Sequence, residues 1–142
     1  EDRDALLEGL LDGTIDCIAT DHAPHAKEEK AQPMTKAPFG IVGSETAFPL
    51  LYTHFVKKGD WSLQQLVDYL TIKPAQIFDL PYGKLEEGSY ADLTIINLDE
   101  EREIRGEDFL SKADNTPFIG YKVYGNPVLT MVEGEVKFKE DK

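Results

Sequence analysis

Asp21, His22 and His25 fall in one short run, Thr20-Asp21-His22-Ala23-Pro24-His25. A carboxylate beside two imidazoles can bind a divalent metal ion and take a proton from water that the ion activates. Pro24 stiffens the path between the imidazoles, because it fixes its own φ and restricts Ala23. A plainer reading stands beside this one: Asp21 caps a helix or closes a turn, and His22 is structural. The chain holds only three histidines, and His54 lies far along in a helical pattern without a partner. No HxH, HExxH or paired-cysteine motif occurs, so any metal centre needs ligands from elsewhere.

The elements around this run read as α/β. Leu6, Leu7, Leu10 and Leu11 sit at helical spacing over residues 2–12, with acids in the first turn and Gly13 just beyond. Thr14–Thr20 reads as a short, nearly continuous apolar strand, of the kind covered on both faces in a parallel sheet. Asp21 then stands at its C-terminal end, where (β/α)-barrel enzymes carry their reactive groups. Residues 21–44, with Pro24, Pro33, Pro38, Gly40 and Gly43, form a long aperiodic loop, and such loops are usually functional. Lys27, Glu28, Glu29 and Lys30 alternate in sign and read as a solvated face.

Helix resumes at Ser44 as N-cap and runs to about Lys58, with distortion expected from Pro49 and with Glu45 favouring the helix start through its charge. Ser62 and Gln65 make a capping box, with Trp61 and Leu66 as its hydrophobic staple, for a helix over Leu63–Leu70. Pro74 opens another short helix through Phe78. From Gly83 onward the period becomes two. Asp92–Leu98 and Tyr121–Tyr124 read as strands, and Leu129–Val132 with Glu135–Phe138 as a hairpin about Glu133-Gly134.

The 142 residues suffice for a domain with a core, and 41% hydrophobic with 30% charged residues describes an ordinary globular chain. A formal charge of -12 disfavours a nucleic-acid partner. No apolar run is long enough to cross a bilayer. The lone Cys17 points to a reducing, cytoplasmic compartment and reads as a small buried side chain. The start at Glu1-Asp2-Arg3-Asp4, without Met, reads as an internal point of a longer protein.

The run Ile18-Ala19-Thr20-Asp21-His22-Ala23-Pro24-His25 resembles the final-barrel-strand signature of the dihydroorotases, in the amidohydrolase superfamily. Further matches follow in order along nearly the whole chain. They are residues 37–46 (APFGIVGSET), Lys73-Pro74-Ala75-Gln76-Ile77-Phe78, Gly88-Ser89-Tyr90-Ala91-Asp92-Leu93, Asn115-Thr116-Pro117-Phe118 and Gly134. The element DHAPH is the specific one, since hydantoinases and allantoinases usually differ just after Asp-His.

What the resemblance implies is concrete. Residues 1–82 would be the C-terminal portion of a (β/α)8 TIM-like barrel, its last strand and flanking helices, and residues 83–142 part of a small β-sandwich domain with an unpaired sheet edge. A barrel usually needs about 250 residues, so the HxH pair, bridging carboxylate, two further metal histidines and substrate Arg would precede residue 1. One or two zinc ions would sit over the strand ends. Metal-held hydroxide would attack the ring amide of (S)-dihydroorotate, giving N-carbamoyl-L-aspartate reversibly in pyrimidine (UMP) biosynthesis. Asp21 would be both metal ligand and general base/acid. His25 would bind the substrate carboxylate, and backbone groups of Phe39 and Gly40 the pyrimidine ring. The partners implied are the N-terminal remainder of the same protein, a second copy in a homodimer, and aspartate transcarbamoylase. This piece alone would be inactive. Two rivals remain: a cyclic amidohydrolase of hydantoins, allantoin or dihydropyrimidines, and a non-catalytic dihydroorotase-like partner of aspartate transcarbamoylase.

Overall fold

A computed structural model describes residues 1–140, which form mixed α/β structure in two compact units. One unit comprises Glu1–Ala19, Gly59–Ile95 and the chain from Val128; the other comprises Thr20–Lys58 and Ile96–Pro127.

The first unit is built on three helices. Helix α1 spans Asp2–Asp12 and closes on Gly13, whose φ of 84° is the left-handed conformation that a helix end favours. Helix α4 spans Leu63–Leu70, and its N-terminus is the reciprocal cap read from the sequence. The Ser62 hydroxyl accepts the Gln65 N–H at 3.1 Å, while the Gln65 side chain accepts the Ser62 N–H at 2.8 Å. Helix α5, Ile72–Ile77, begins two residues before Pro74, which therefore lies in the first turn, where its missing N–H leaves no bond unmade. Leu10, Trp61, Leu66, Tyr69 and Ala75 form the buried core. Trp61 meets Tyr69 edge-on at 5.6 Å, and the Tyr69 hydroxyl donates to the Leu10 carbonyl at 2.7 Å.

The expected strand at Thr14–Thr20 does not form. Its backbone bonds go elsewhere: Ile15 donates to Gly9 and Ile18 to the Tyr69 carbonyl. A strand is satisfied only by a neighbouring strand, and among the described residues none runs beside this segment. Cys17 and Ile18 are accordingly half-buried rather than enclosed.

The same unit carries most of a three-stranded sheet ordered β1 (Leu93–Asn97), β4 (Asn126–Val132) and β5 (Glu135–Lys139). The hairpin forms as expected, with Val132 opposite Glu135 and a register shift between Thr130 and Met131. Glu133 and Gly134 have φ of 51° and 80°, the paired positive values of a two-residue turn that matches strand twist. Strands β1 and β5 each have one neighbour among the described residues.

In the second unit, α2 is a single turn at Lys27–Lys30. Helix α3, Ala47–Leu51, runs on into a wider π-type turn, Tyr52–Val56. Its cap is Thr46, not Ser44; the N–H groups of Gly43 and Ser44 are taken by a histidine described below. Strands β2 (Arg102–Glu103) and β3 (Lys122–Val123) pair antiparallel, so the Tyr121–Tyr124 strand is shorter than expected, and β2 has no strong local signal. Val42, Thr46, Pro49, Ile104 and Val123 are among the buried residues here. No helix among the described residues is long and apolar enough to cross a membrane.

Leu66 is fully buried, whereas Leu85 is 79% exposed. Leu66→Ala is therefore expected to cost about 3 kcal/mol, and Leu85→Ala less than about 0.5 kcal/mol, in urea unfolding of this chain followed by circular dichroism. Equal losses at the two positions would contradict this core.

Candidate active site

The second unit brings three segments of the chain together: residues 20–25, 38–44 and 114–116. His22 and Ile41 form a single parallel bridge, and the Ala23 N–H donates to the Ile41 carbonyl at 2.8 Å. Asp21, immediately before the bridge, has φ of 47°. A left-handed conformation is sparsely populated for a residue with a side chain, although Asp tolerates it better than most, and it recurs where function fixes the backbone. The Asp21 carboxylate is exposed and accepts no hydrogen bond among the described residues. It is an open oxygen donor and proton acceptor.

His22 is spent on structure. Its Nδ1 accepts the N–H groups of Gly43 at 3.0 Å and Ser44 at 3.2 Å, which are the free donors at the start of the turn leading into α3. Nδ1 therefore carries no proton. Gly43 itself packs on Thr20: a Cβ there would lie 3.0 Å from the Thr20 carbonyl oxygen.

His25, Phe39 and Gly40 are brought together. The His25 Nε2 lies 2.8 Å from the Phe39 carbonyl, and a carbonyl only accepts, so Nε2 holds the proton. His25 Nδ1 faces Glu29 at 3.9 Å. The Phe39 ring is 91% exposed and packs on nothing substantial. Gly40 has φ of 105°, and a Cβ built on it would collide with the Ala23 Cβ. Its lack of a side chain is thus required by its own protein, whatever ligand it meets.

Two charged residues prove to be more than a solvated face. Lys30 donates to the Pro38 carbonyl at 3.0 Å and the Gly40 carbonyl at 3.1 Å. Glu29 accepts the Ala26 N–H at 2.9 Å and so caps α2. Glu45, expected to act through its charge at a helix start, instead accepts the N–H groups of Leu110 and Ser111, at 2.8 and 2.9 Å. Asn115 bonds both candidate segments: its Nδ2 donates to the carbonyls of Ala23 at 3.1 Å and Gly40 at 3.3 Å, and its Oδ1 accepts the His25 N–H at 3.1 Å. The sequence signalled none of these contacts, because each joins residues far apart in the chain or in a loop without period.

Among the described residues, no three His, Cys, Asp or Glu side chains gather around one point. Of the three candidate residues Asp21, His22 and His25, only Asp21 has free side-chain oxygens, and the rings of His22 and His25 are engaged through one nitrogen each.

Gly40→Ala is expected to destabilise this unit by about 2–4 kcal/mol, from the collision with Ala23 and from the positive φ together. Adding Ala23→Gly should recover the steric part and leave about 1 kcal/mol of backbone strain. Thermal unfolding of the single and double variants checks this, and a double variant no better than Gly40→Ala would refute the contact.

The profile described as "Amidohydrolase family" matches residues 1–137. Over all 142 residues the chain is 84% identical to a dihydroorotase of Staphylococcus aureus (strain N315), covering 34% of that protein. It is 83% identical to a dihydroorotase of Staphylococcus epidermidis (strain ATCC 12228), covering 33%. The chain thus spans about a third of the length of the curated relatives it matches. Among solved structures, an L-hydantoinase (dihydropyrimidinase) from Arthrobacter aurescens superposes with a TM-score of 0.87 at 39% identity, over 96% of this chain and 32% of that one. A D-hydantoinase (dihydropyrimidinase) from Thermus sp. gives 0.86 at 30% identity, over 96% and 31%. Matched from residue 1 to residue 137, the chain belongs to the amidohydrolase family.

Proposed function

We propose that this chain is part of a dihydroorotase, catalysing the reversible hydrolysis of (S)-dihydroorotate to N-carbamoyl-L-aspartate in pyrimidine (UMP) biosynthesis. The observation that carries the reading is the open Asp21 carboxylate, in a left-handed backbone next to the His25–Phe39–Gly40 cluster. It occurs in a chain 84% identical to a dihydroorotase. Residues 1–82 would belong to a (β/α)8 barrel and residues 83–142 to a small β-sandwich domain.

In this reading Asp21 accepts a proton from the attacking water and returns it to the ring nitrogen as the amide bond breaks, so the carboxylate is regenerated. As a hard oxygen donor it also suits one ligand position of zinc. Zinc, when bound, supplies a water of lowered pKa and a polarised carbonyl. Three or more protein donors are needed for such a site, so the remainder of the polypeptide would complete it, and this chain alone would not turn over dihydroorotate. His25, with Nε2 held by the Phe39 carbonyl, has a fixed ring plane. Its protonated form would offer the cationic donor that a substrate carboxylate needs. The backbone of Phe39 and Gly40 would flank the pyrimidine ring. The proposed partners are the rest of the same polypeptide, a second copy, and aspartate transcarbamoylase, in the cytoplasm.

The hydantoinase neighbours favour one rival, hydrolysis of an uncharged cyclic amide. Charge separates the two. In a polypeptide of the relatives' full length carrying this chain, Asp21→Asn should lower kcat by about 10²–10⁴-fold. His25→Ala should raise KM for dihydroorotate about tenfold or more, the loss of one charge-assisted hydrogen bond, and leave hydantoin turnover as it was. An unchanged KM for dihydroorotate in steady-state assays would move the assignment to the rival.

A further inference from the structure

The segments carrying Asp21 and His25 on one side and Phe39 and Gly40 on the other share a single residue-pair bridge, at His22 and Ile41. One bridge is too little backbone pairing to fix the separation of two loops. The remaining ties are made by side chains, and Asn115 makes more of them than any other residue. Its Nδ2 reaches a carbonyl on each loop, Ala23 and Gly40, while its Oδ1 takes the N–H of His25. Its own carbonyl accepts the Val42 N–H at 3.1 Å. The side-chain orientation is unambiguous, since backbone carbonyls demand a donor and a backbone N–H demands an acceptor. Both amide hydrogens of Asn115 are thereby used, one on each loop.

We propose that Asn115 is a positioning residue that sets the gap between the Asp21–His25 segment and the Phe39–Gly40 loop, and through that gap the affinity for substrate. The inference rests on the dihydroorotase reading above. Asn115 touches no reacting atom in it. It acts by holding the Gly40 carbonyl and the Ala23 carbonyl at one amide's width, with Lys30 sharing the Gly40 carbonyl at 3.1 Å. Asp21 precedes the bridge and does not bond Asn115, so the proton-transfer step should be insulated from the clamp while the fit around the substrate is not.

Asn115→Asp is the discriminating variant. It keeps the size and the acceptor for the His25 N–H but replaces both donors with a carboxylate that repels the two carbonyls. Asn115→Ala removes the clamp without repulsion and stands in should the first variant fold poorly. The experiment measures kcat and KM for dihydroorotate in a full-length polypeptide carrying this chain, with hydrogen exchange at the Ala23 amide as a readout independent of turnover. Ser62→Ala, which loses only the α4 cap, serves as a destabilised control. The expected result is a KM raised about tenfold or more, from two lost hydrogen bonds, with kcat within about twofold and faster exchange at Ala23. Ser62→Ala should change neither kinetic constant. A lower unfolding midpoint with KM unchanged would make Asn115 merely structural and overturn the proposal, as would unaltered exchange at Ala23. Absence of dihydroorotate turnover in the wild-type polypeptide would instead sink the functional reading, and this inference with it.

Discussion

Gly40 and Ala23 lie so close that a methyl group does not fit between them, and the architecture of the candidate site follows from that contact. Two loop segments brought to this distance must dispose of their backbone polar groups. They are too irregular to do so as a sheet, and only one residue pair bridges them. An unpaired buried carbonyl or N–H costs about as much as a lost hydrogen bond, so side chains take over. Lys30 takes the carbonyls of Pro38 and Gly40, His25 that of Phe39, and Asn115 those of Ala23 and Gly40. Three successive carbonyls, at residues 38, 39 and 40, are turned toward the protein's own donors. A loop with this many anchors can hold a ligand-facing geometry without regular secondary structure.

The same bonding explains how two neighbouring histidines differ in use. His22 faces the next turn of chain, where Gly43 and Ser44 present unpaired N–H groups, so its Nδ1 must be an acceptor. His25 faces a carbonyl, so its Nε2 must be a donor. Opposite roles are imposed on the same side chain by what the backbone offers at each place, and only His25 is left with a second nitrogen toward a charged group, Glu29. Asp21 stands apart from this web. Its backbone is left-handed, and the carboxylate lies outside every hydrogen bond that ties the loops.

Features encoded within a few residues were legible in the sequence. The Ser62–Gln65 reciprocal cap, the α1 stop at Gly13 and the turn at Glu133-Gly134 each depend on neighbours in the chain, and each forms where its residues predict. Features that depend on distant partners were not legible. Thr14–Thr20 has a strand's composition, yet strand geometry needs a neighbour's N–H and C=O groups, and the Ile18 N–H finds the end of α4 instead. Helix α3 starts from Thr46 rather than Ser44, and the bond from the Ser44 N–H to His22, twenty-two residues away, has no local signal. Among the alternating charges at residues 27–30, Lys27, Glu28 and Glu29 are exposed as expected, while Lys30 turns to carbonyls eight and ten residues on, which no local pattern signals.

Backbone likeness and side-chain likeness point to different relatives, and physical chemistry says which to weigh. The hydantoinase structures share the fold at TM-scores of 0.86 and 0.87 but only 30% and 39% of residues. A fold hosts many chemistries, and the reaction is set by the groups grafted on it. In the proposed reading, a carboxylate at the position of Asp21 would serve the opening of any cyclic amide, charged or not, because the proton it moves would belong to water and to the ring nitrogen. A ring that also bears a carboxylate makes one further demand, a cationic donor desolvated enough to be felt and fixed enough to select. In the proposed reading His25 would supply that donor; it is half-buried and its ring is pinned by the Phe39 carbonyl. Under the proposed function, His25 is therefore the residue that would distinguish a charged substrate from a neutral one.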